Sequence, residues 1–116
     1  MKIEEYLKTL PESILSGEDV QLPDQTFRDI FKFVNLGKDD VFYHLGCGNG
    51  AGLLIATEEF GAKKVVGIDN SKEKTSAAEQ MLVTKGKSDV KIICNNVINT
   101  KIDDATVILF WFTDEN

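Results

Sequence analysis

The 116-residue chain has only two cysteines, two prolines, one histidine and one tryptophan. Cys47 and Cys94 make no CxxC pair, and neither lies at a zinc-site spacing from His44, so no metal centre is expected. Both thiols read as apolar filler in a reducing compartment. Cationic residues are outnumbered, 13 Lys and Arg against 19 Asp and Glu, for a net charge of −6. No basic tract offsets that balance, so direct nucleic-acid binding is not expected. Long hydrophobic runs are missing too: "VILFWF" at 107–112 is far too short for a membrane span. The first ten residues carry Lys2, Glu4, Glu5 and Lys8, which rules against a signal peptide. With 42% hydrophobic and 28% charged residues, the expectation is one globular, cytoplasmic domain with no membrane partner.

What is present is a regular alternation. Ile3, Tyr6, Leu7 and Leu10 fall at helical spacing before Pro11, and residues 13–23 read as a loop, giving an N-terminal segment over 1–23. From residue 24, Asp24 is expected to cap a helix whose face is Phe27, Ile30, Phe31 and Val34 and which Gly37 closes. Then follow a strand "VFYHL" (41–45), a helix "AGLLIATEEF" (51–60) ended by Gly61, and a strand "KVVGID" (64–69). Ser71 caps a helix with inner face Ala77, Ala78, Met81 and Leu82, before strands "VKIIC" (90–94) and "ATVILFWF" (105–112). Strands alternating with helices predict an α/β, doubly wound fold with a parallel sheet over 24–116. The first strand should be central, between the second and the fourth. The sheet then reads as truncated after the fourth strand, whose apolar edge predicts a homodimer through residues 105–112 or a longer chain.

The chemistry concentrates in "LGCGNGAG". Gly46, Gly48 and Gly50 occupy the turn from the first strand to the next helix, where glycine lets a ligand approach the backbone and helix amides face it. Asp69 ends the second strand, where a carboxylate can accept both hydroxyls of a ribose. Either feature alone is compatible with a tight turn or a helix cap; together they favour a nucleoside ligand.

These motifs, "VFYHLGCGNGAG", "VVGIDNS" and the stretch from "DVKIICNN" into "ATVILFWF", resemble those of the class I S-adenosylmethionine-dependent methyltransferases. The layout is most similar to archaeal protein-lysine methyltransferases, which share the proline-containing loop and short helix of "QLPDQTFRDIFKFVNLGKDD". The resemblance implies a Rossmann-like methyltransferase fold, S-adenosylmethionine as cofactor and a protein lysine side chain as methyl acceptor. Carried over, Gly46, Gly48 and Gly50, with Cys47 among them, would line the methionine and ribose portion. Asp69 would hold the ribose hydroxyls, Ile68 and Asn70 would flank the adenine, and Asn95 and Asn96 would meet its amino group. Gln25 and Thr26 would approach the methionine end.

Two positions depart from the family pattern. His44 stands where an acid usually organises the aminoacyl end, and Asn49 where an acid is frequent, so two charges beside a cationic cofactor are lost. His44 also reads as a structural residue satisfied by a backbone group. No acid–base pair is recognisable, and methyl transfer to nitrogen needs mainly alignment. Two alternatives stay open: a degenerate, non-catalytic relative that binds a nucleoside or a protein, and a binder of NAD or another nucleotide through Gly46, Gly48 and Ala51. Trp111 and Phe112 read as core, interface or the wall of a substrate channel.

Overall fold

Pro23 fixes where the first helix begins. The computed structural model describes residues 22–110, and helix α1 runs Asp24–Phe33 with Pro23 extended at the N-cap. Asp24, expected as the cap, is the first helical residue, and no side chain among the described residues caps this end. Proline's locked φ places it ahead of the first turn, and the acid then faces the positive end of the helix dipole. Gly37 does not close α1. Asn35 does, at φ 56°, with Leu36 N–H donating to Phe31 O (2.9 Å) and Asn35 N–H to Lys32 O (3.1 Å), the paired bonds of a left-handed helix stop. The helix expected around Ile3–Leu10, the loop over 13–21, and Trp111 and Phe112 lie outside the described residues.

The remaining elements are β1 (Val41–Leu45), α2 (Ala51–Glu58), β2 (Lys64–Asp69), α3 (Lys72–Thr84), β3 (Lys91–Cys94), a 3₁₀ turn at Val97–Asn99, and β4 (Val107–Phe110). The strands form one parallel sheet in the order β3-β2-β1-β4. β1 is therefore central, as the alternation predicts. Ser71 caps α3, its hydroxyl accepting Lys74 N–H at 3.2 Å, and Gly86 at φ 73° ends it.

Side chains of β1 alternate between two apolar layers. Phe42 and His44 face α1, α2 and α3 in a core with Phe27, Phe31, Leu53, Leu82 and Leu109; Tyr43 and Leu45 face the other way, with Val66 and Ile68. The crossover from β3 to β4 supplies that second layer through Val97, Ile102 and Ala105. The chain thus changes face between β3 and β4, which makes the fold doubly wound. Phases within α3 differ from expectation: Thr75, Ala78 and Leu82 are buried, whereas Ala77 is exposed. Helical spacing admits either alanine, and packing against β2 and β3 selects Ala78.

At the amino ends of the strands, side chains fasten the approach to β4. Tyr43 OH donates to Asp104 Oδ1 (2.6 Å) and Lys64 Nζ to Asp104 Oδ2 (2.7 Å). Thr106 Oγ1 donates to Asp40 Oδ1 (2.8 Å) and accepts Val41 N–H (2.8 Å). The Lys64 ammonium and then the Tyr43 hydroxyl hold the Asp104 carboxyl below its usual range. The opposite end of the sheet is left to loops. Among the described residues no helix is long and apolar enough to cross a membrane.

Candidate functional site

The loop after β1 leaves the sheet at the carboxyl ends of the strands, where strand order reverses between β1 and β4. Its first turn is bolted to β2, with Ile68 O accepting both Gly46 N–H (2.7 Å) and Cys47 N–H (3.1 Å). Gly46, Gly48 and Gly50 then take φ of 85°, 56° and 87°, a conformation that strains any L side chain. A Cβ on Gly50 would also lie 3.1 Å from both Ala78 Cβ and Met81 Cε. α3 therefore packs directly beneath this turn. Asn49 Oδ1 accepts Ala51 N–H at 3.0 Å, while the Gly52 and Leu53 amides have no acceptor among the described residues.

Asp69 closes the loop from the next strand. Its Oδ2 accepts Gly48 N–H and its Oδ1 accepts Ser71 N–H, both at 3.0 Å. Its main-chain oxygen accepts Asn95 N–H at 3.0 Å. One residue thus joins the ends of β1, β2 and β3, and each carboxylate oxygen keeps a further lone pair. The sequence marks Asp69 as a ligand group; its service to two backbone amides carries no separate sequence signal.

Beside it, Asn70 is exposed and its carbonyl accepts the Cys94 thiol at 3.9 Å. Asn95 Oδ1 accepts Asn96 N–H (2.8 Å), and Asn96 Oδ1 accepts Ile98 N–H (3.1 Å) to cap the 3₁₀ turn. Both asparagines stay exposed, so their amide oxygens shape the loop while their remaining polar capacity faces outward. Ile68 is fully buried in the second layer. Cys94 is exposed rather than buried filler.

Two residues of the motif point inward. Cys47 is fully buried in the helical core, and burial, followed by the negative charge of Asp69, pushes its thiol up to about 12. Its side chain therefore serves the core and not the loop surface. His44 is 0% exposed, edge-on to Phe27 at 5.6 Å and tilted against Phe42 at 6.1 Å. Among the described residues the expected backbone partner is absent, since neither Nδ1 nor Nε2 has a hydrogen bond. Burial lowers its pKa from 6.5 to about 4 against the opposing pull of Asp69, so the imidazole is neutral. Nδ1 faces the first turn of α2, 3.1 Å from where a Cβ on Gly52 would stand.

Gln25 and Thr26 sit in the first turn of α1, Gln25 exposed with Nε2 donating to Asp29 Oδ1 (2.9 Å), Thr26 buried. α1 is fastened over α2 by a bidentate Arg28–Glu59 pair at 2.7 and 3.0 Å. Phe27 also packs onto Gly52, whose missing Cβ would stand 2.7 Å from Phe27 Cε1.

The model of the methyltransferase domain family matches residues 42–115, from β1 through the glycine loop and Asp69 to beyond β4. The chain belongs to this methyltransferase family. The resemblance to class I S-adenosylmethionine-dependent enzymes is thereby upheld. Among curated relatives of this methyltransferase domain, a protein-lysine N-methyltransferase of Saccharolobus islandicus is 29% identical over 99 residues, 84% of this chain and 62% of that protein. A carboxy-S-adenosyl-L-methionine synthase of Mannheimia succiniciproducens is 31% identical over 78 residues, 65% of this chain and 32% of that protein. The chain thus spans less than two thirds of either relative. In fold it is similar to an RNA methyltransferase of Salinibacter ruber solved with S-adenosyl-L-homocysteine, at TM-score 0.74 and 24% identity over 78% of this chain and 60% of that one. Away from the glycine loop, this methyltransferase domain carries a cleft of about 180 Å³ between α3 and the β3 edge, lined by Glu79, Leu82, Val83, Ser88, Val90 and Ile92.

Proposed function

We propose that this chain binds S-adenosylmethionine at the carboxyl ends of β1 and β2 and serves methyl transfer to the side-chain amine of a protein lysine. The observation that carries the reading is the Asp69 carboxylate, held by Gly48 and Ser71 amides beside three left-handed glycines. That arrangement fits a nucleoside: fixed acceptors for paired hydroxyls, and backbone bare enough for close approach. Gly46, Gly48 and Gly50 would line the ribose and methionine portion, with Gln25 and Thr26 of α1 at its far end. Asn70, Asn95 and Asn96 would border the adenine, their exposed amides offering donors and acceptors to its edge.

When bound, the cofactor supplies an electrophilic methyl group on a sulfonium, which a neutral amine takes by in-line displacement, leaving a thioether and releasing the amine proton to solvent. This chain's contribution is alignment. The glycine loop is fixed to β2 before any ligand arrives, so little ordering is left to be done on binding. The similarity to a protein-lysine N-methyltransferase supports the acceptor class. A β4 edge paired with a second copy would complete the sheet as a homodimer.

Calorimetric titration of S-adenosylhomocysteine, in competition with NAD, tests the cofactor, with Asp69→Asn as the control for the ribose acceptor. Saturable binding that NAD does not displace, and that the variant loses, is the expected outcome. Labelled methyl transfer to a lysine-rich protein then tests the acceptor, and binding without transfer would leave a non-catalytic nucleoside binder.

A further inference from the structure

The cleft between α3 and β3 lies apart from the glycine loop, and the cofactor reading makes no use of it. Its walls are mostly aliphatic. Leu82 and Val90 are buried, Ile92 is partly buried, and Val83 is left 62% exposed. At about 180 Å³ the space is smaller than the roughly 300–1,000 Å³ of small-molecule sites, and suits one long side chain.

Glu79 is the one ionisable group among the described lining residues. It is exposed, and neither hydrogen bond nor ion pair engages its carboxylate among the described residues. Lys85, Lys87 and Asp89 follow α3 and do not line the cleft. Ile92 packs with the helical core, so alternation along β3 turns Lys91 to the opposite face with Ile93. Beside the cleft, β3 pairs with β2 alone, leaving the outer side of Lys91–Cys94 open among the described residues. An open strand edge offers main-chain hydrogen bonds to an extended segment, and a pocket beside it selects a side chain.

We infer that this cleft and the β3 edge form a docking surface for an extended, lysine-bearing segment of a second protein. The segment pairs with β3 as an added strand. One lysine lays its four-carbon stem along Leu82, Val83, Val90 and Ile92, and its ammonium meets Glu79 at the wet rim. The net charge of −6 favours approach of such a basic partner. This lysine is held and not methylated, because the cleft lies away from the glycine loop. The surface does not rest on the cofactor reading.

The test is a nuclear magnetic resonance titration of the full chain with a short synthetic peptide of threonines around a single central lysine. Threonine favours the extended form that the edge requires. Methyl signals of Val83, Val90 and Ile92 and amide signals of β3 should shift together and saturably. Glu79→Gln should weaken the lysine peptide about three- to fivefold, the worth of a rim ion pair. It should leave unchanged a norleucine counterpart, which keeps the stem and lacks the charge. Val83→Ser should weaken both peptides, and both substitutions fall at exposed positions that the fold tolerates. Asp103→Asn, which removes an exposed acid elsewhere, should change neither. Shifts scattered over the acidic surface, or none at β3 and the cleft, would overturn the inference. So would an equal loss in Asp103→Asn, or a norleucine peptide that suffers as much from Glu79→Gln. None of these results bears on S-adenosylhomocysteine binding, which is titrated separately.

Discussion

His44 should make the fold acid-sensitive by an amount that can be worked from its surroundings. In the unfolded chain the imidazole titrates near its ordinary 6.5; in the fold, burial lowers this to about 4. Between those values the unfolded chain binds a proton that the folded chain refuses, so stability falls as pH falls through that window. Above 6.5 the ring is neutral in both states and nothing is lost. Each pH unit of the window is worth about 1.4 kcal/mol, giving a loss of about 3 kcal/mol by pH 4, large against the roughly 5–15 kcal/mol that holds a domain together. The assay is urea unfolding followed by circular dichroism at steps from about pH 7.5 to about pH 4.5, run in parallel on His44→Leu. Leucine fills similar space and cannot protonate, so carboxylate titrations common to both chains cancel in the difference. The expected result is a wild-type curve that drops away from the variant below about pH 6.5. Parallel curves would refute the reasoning, as would a ring proton of His44 that titrates near 6.5 in the folded chain by nuclear magnetic resonance.

Gly67→Ala should destabilise the fold by about 1–3 kcal/mol in urea, because its Cβ would overlap Leu53 Cδ1 and lie 2.9 Å from Cys47 Sγ, both buried; a variant of wild-type stability would contradict that packing. Of the two thiols, only Cys94 should react with a thiol reagent in the native chain, and Cys47 should join it in urea, since Cys47 is buried with its pKa pushed up to about 12; two fast native thiols would be the contrary result. Among the described residues β4 is an edge of the sheet, and pairing of that edge with a second copy should give a two-fold dimer in sedimentation equilibrium. A monomer at high concentration would set that expectation aside.

The limits of β1 and β2 and the glycine loop were legible because each depends on local information, whereas β3 and β4 start one and two residues later than expected, at Lys91 and Val107. "VFYHL" and "KVVGID" become β1 and β2 residue for residue, since short apolar runs between turn residues leave little choice of boundary. The three glycines had to mark a backbone turn, and all three adopt positive φ. Other features depend on neighbours distant in sequence. The exposure of Ala77 beside buried Ala78 follows from the orientation of α3 on the sheet, which helical spacing leaves open by a full residue. Asn35 outcompetes Gly37 as the helix stop because Leu36 is drawn into the core, which sets where the chain must turn. His44 illustrates the limit most clearly: a lone histidine in a strand implies a partner, and here aromatic rings enclose it without providing one.

The double attachment of Asp69 bears on how such sequences are compared. An acid at the end of a second strand is customarily taken as the mark of a living ligand site. In this fold the same carboxylate anchors two backbone amides, and with them the course of the chain from β1 into α2 and from β2 into α3. Natural selection would therefore hold on to this aspartate for the sake of folding in a lineage that had given up methyl transfer altogether. The exposed asparagines around it, whose side chains organise only their own turn, are free to drift once the ligand is gone. They make the better witnesses to activity among relatives of this chain.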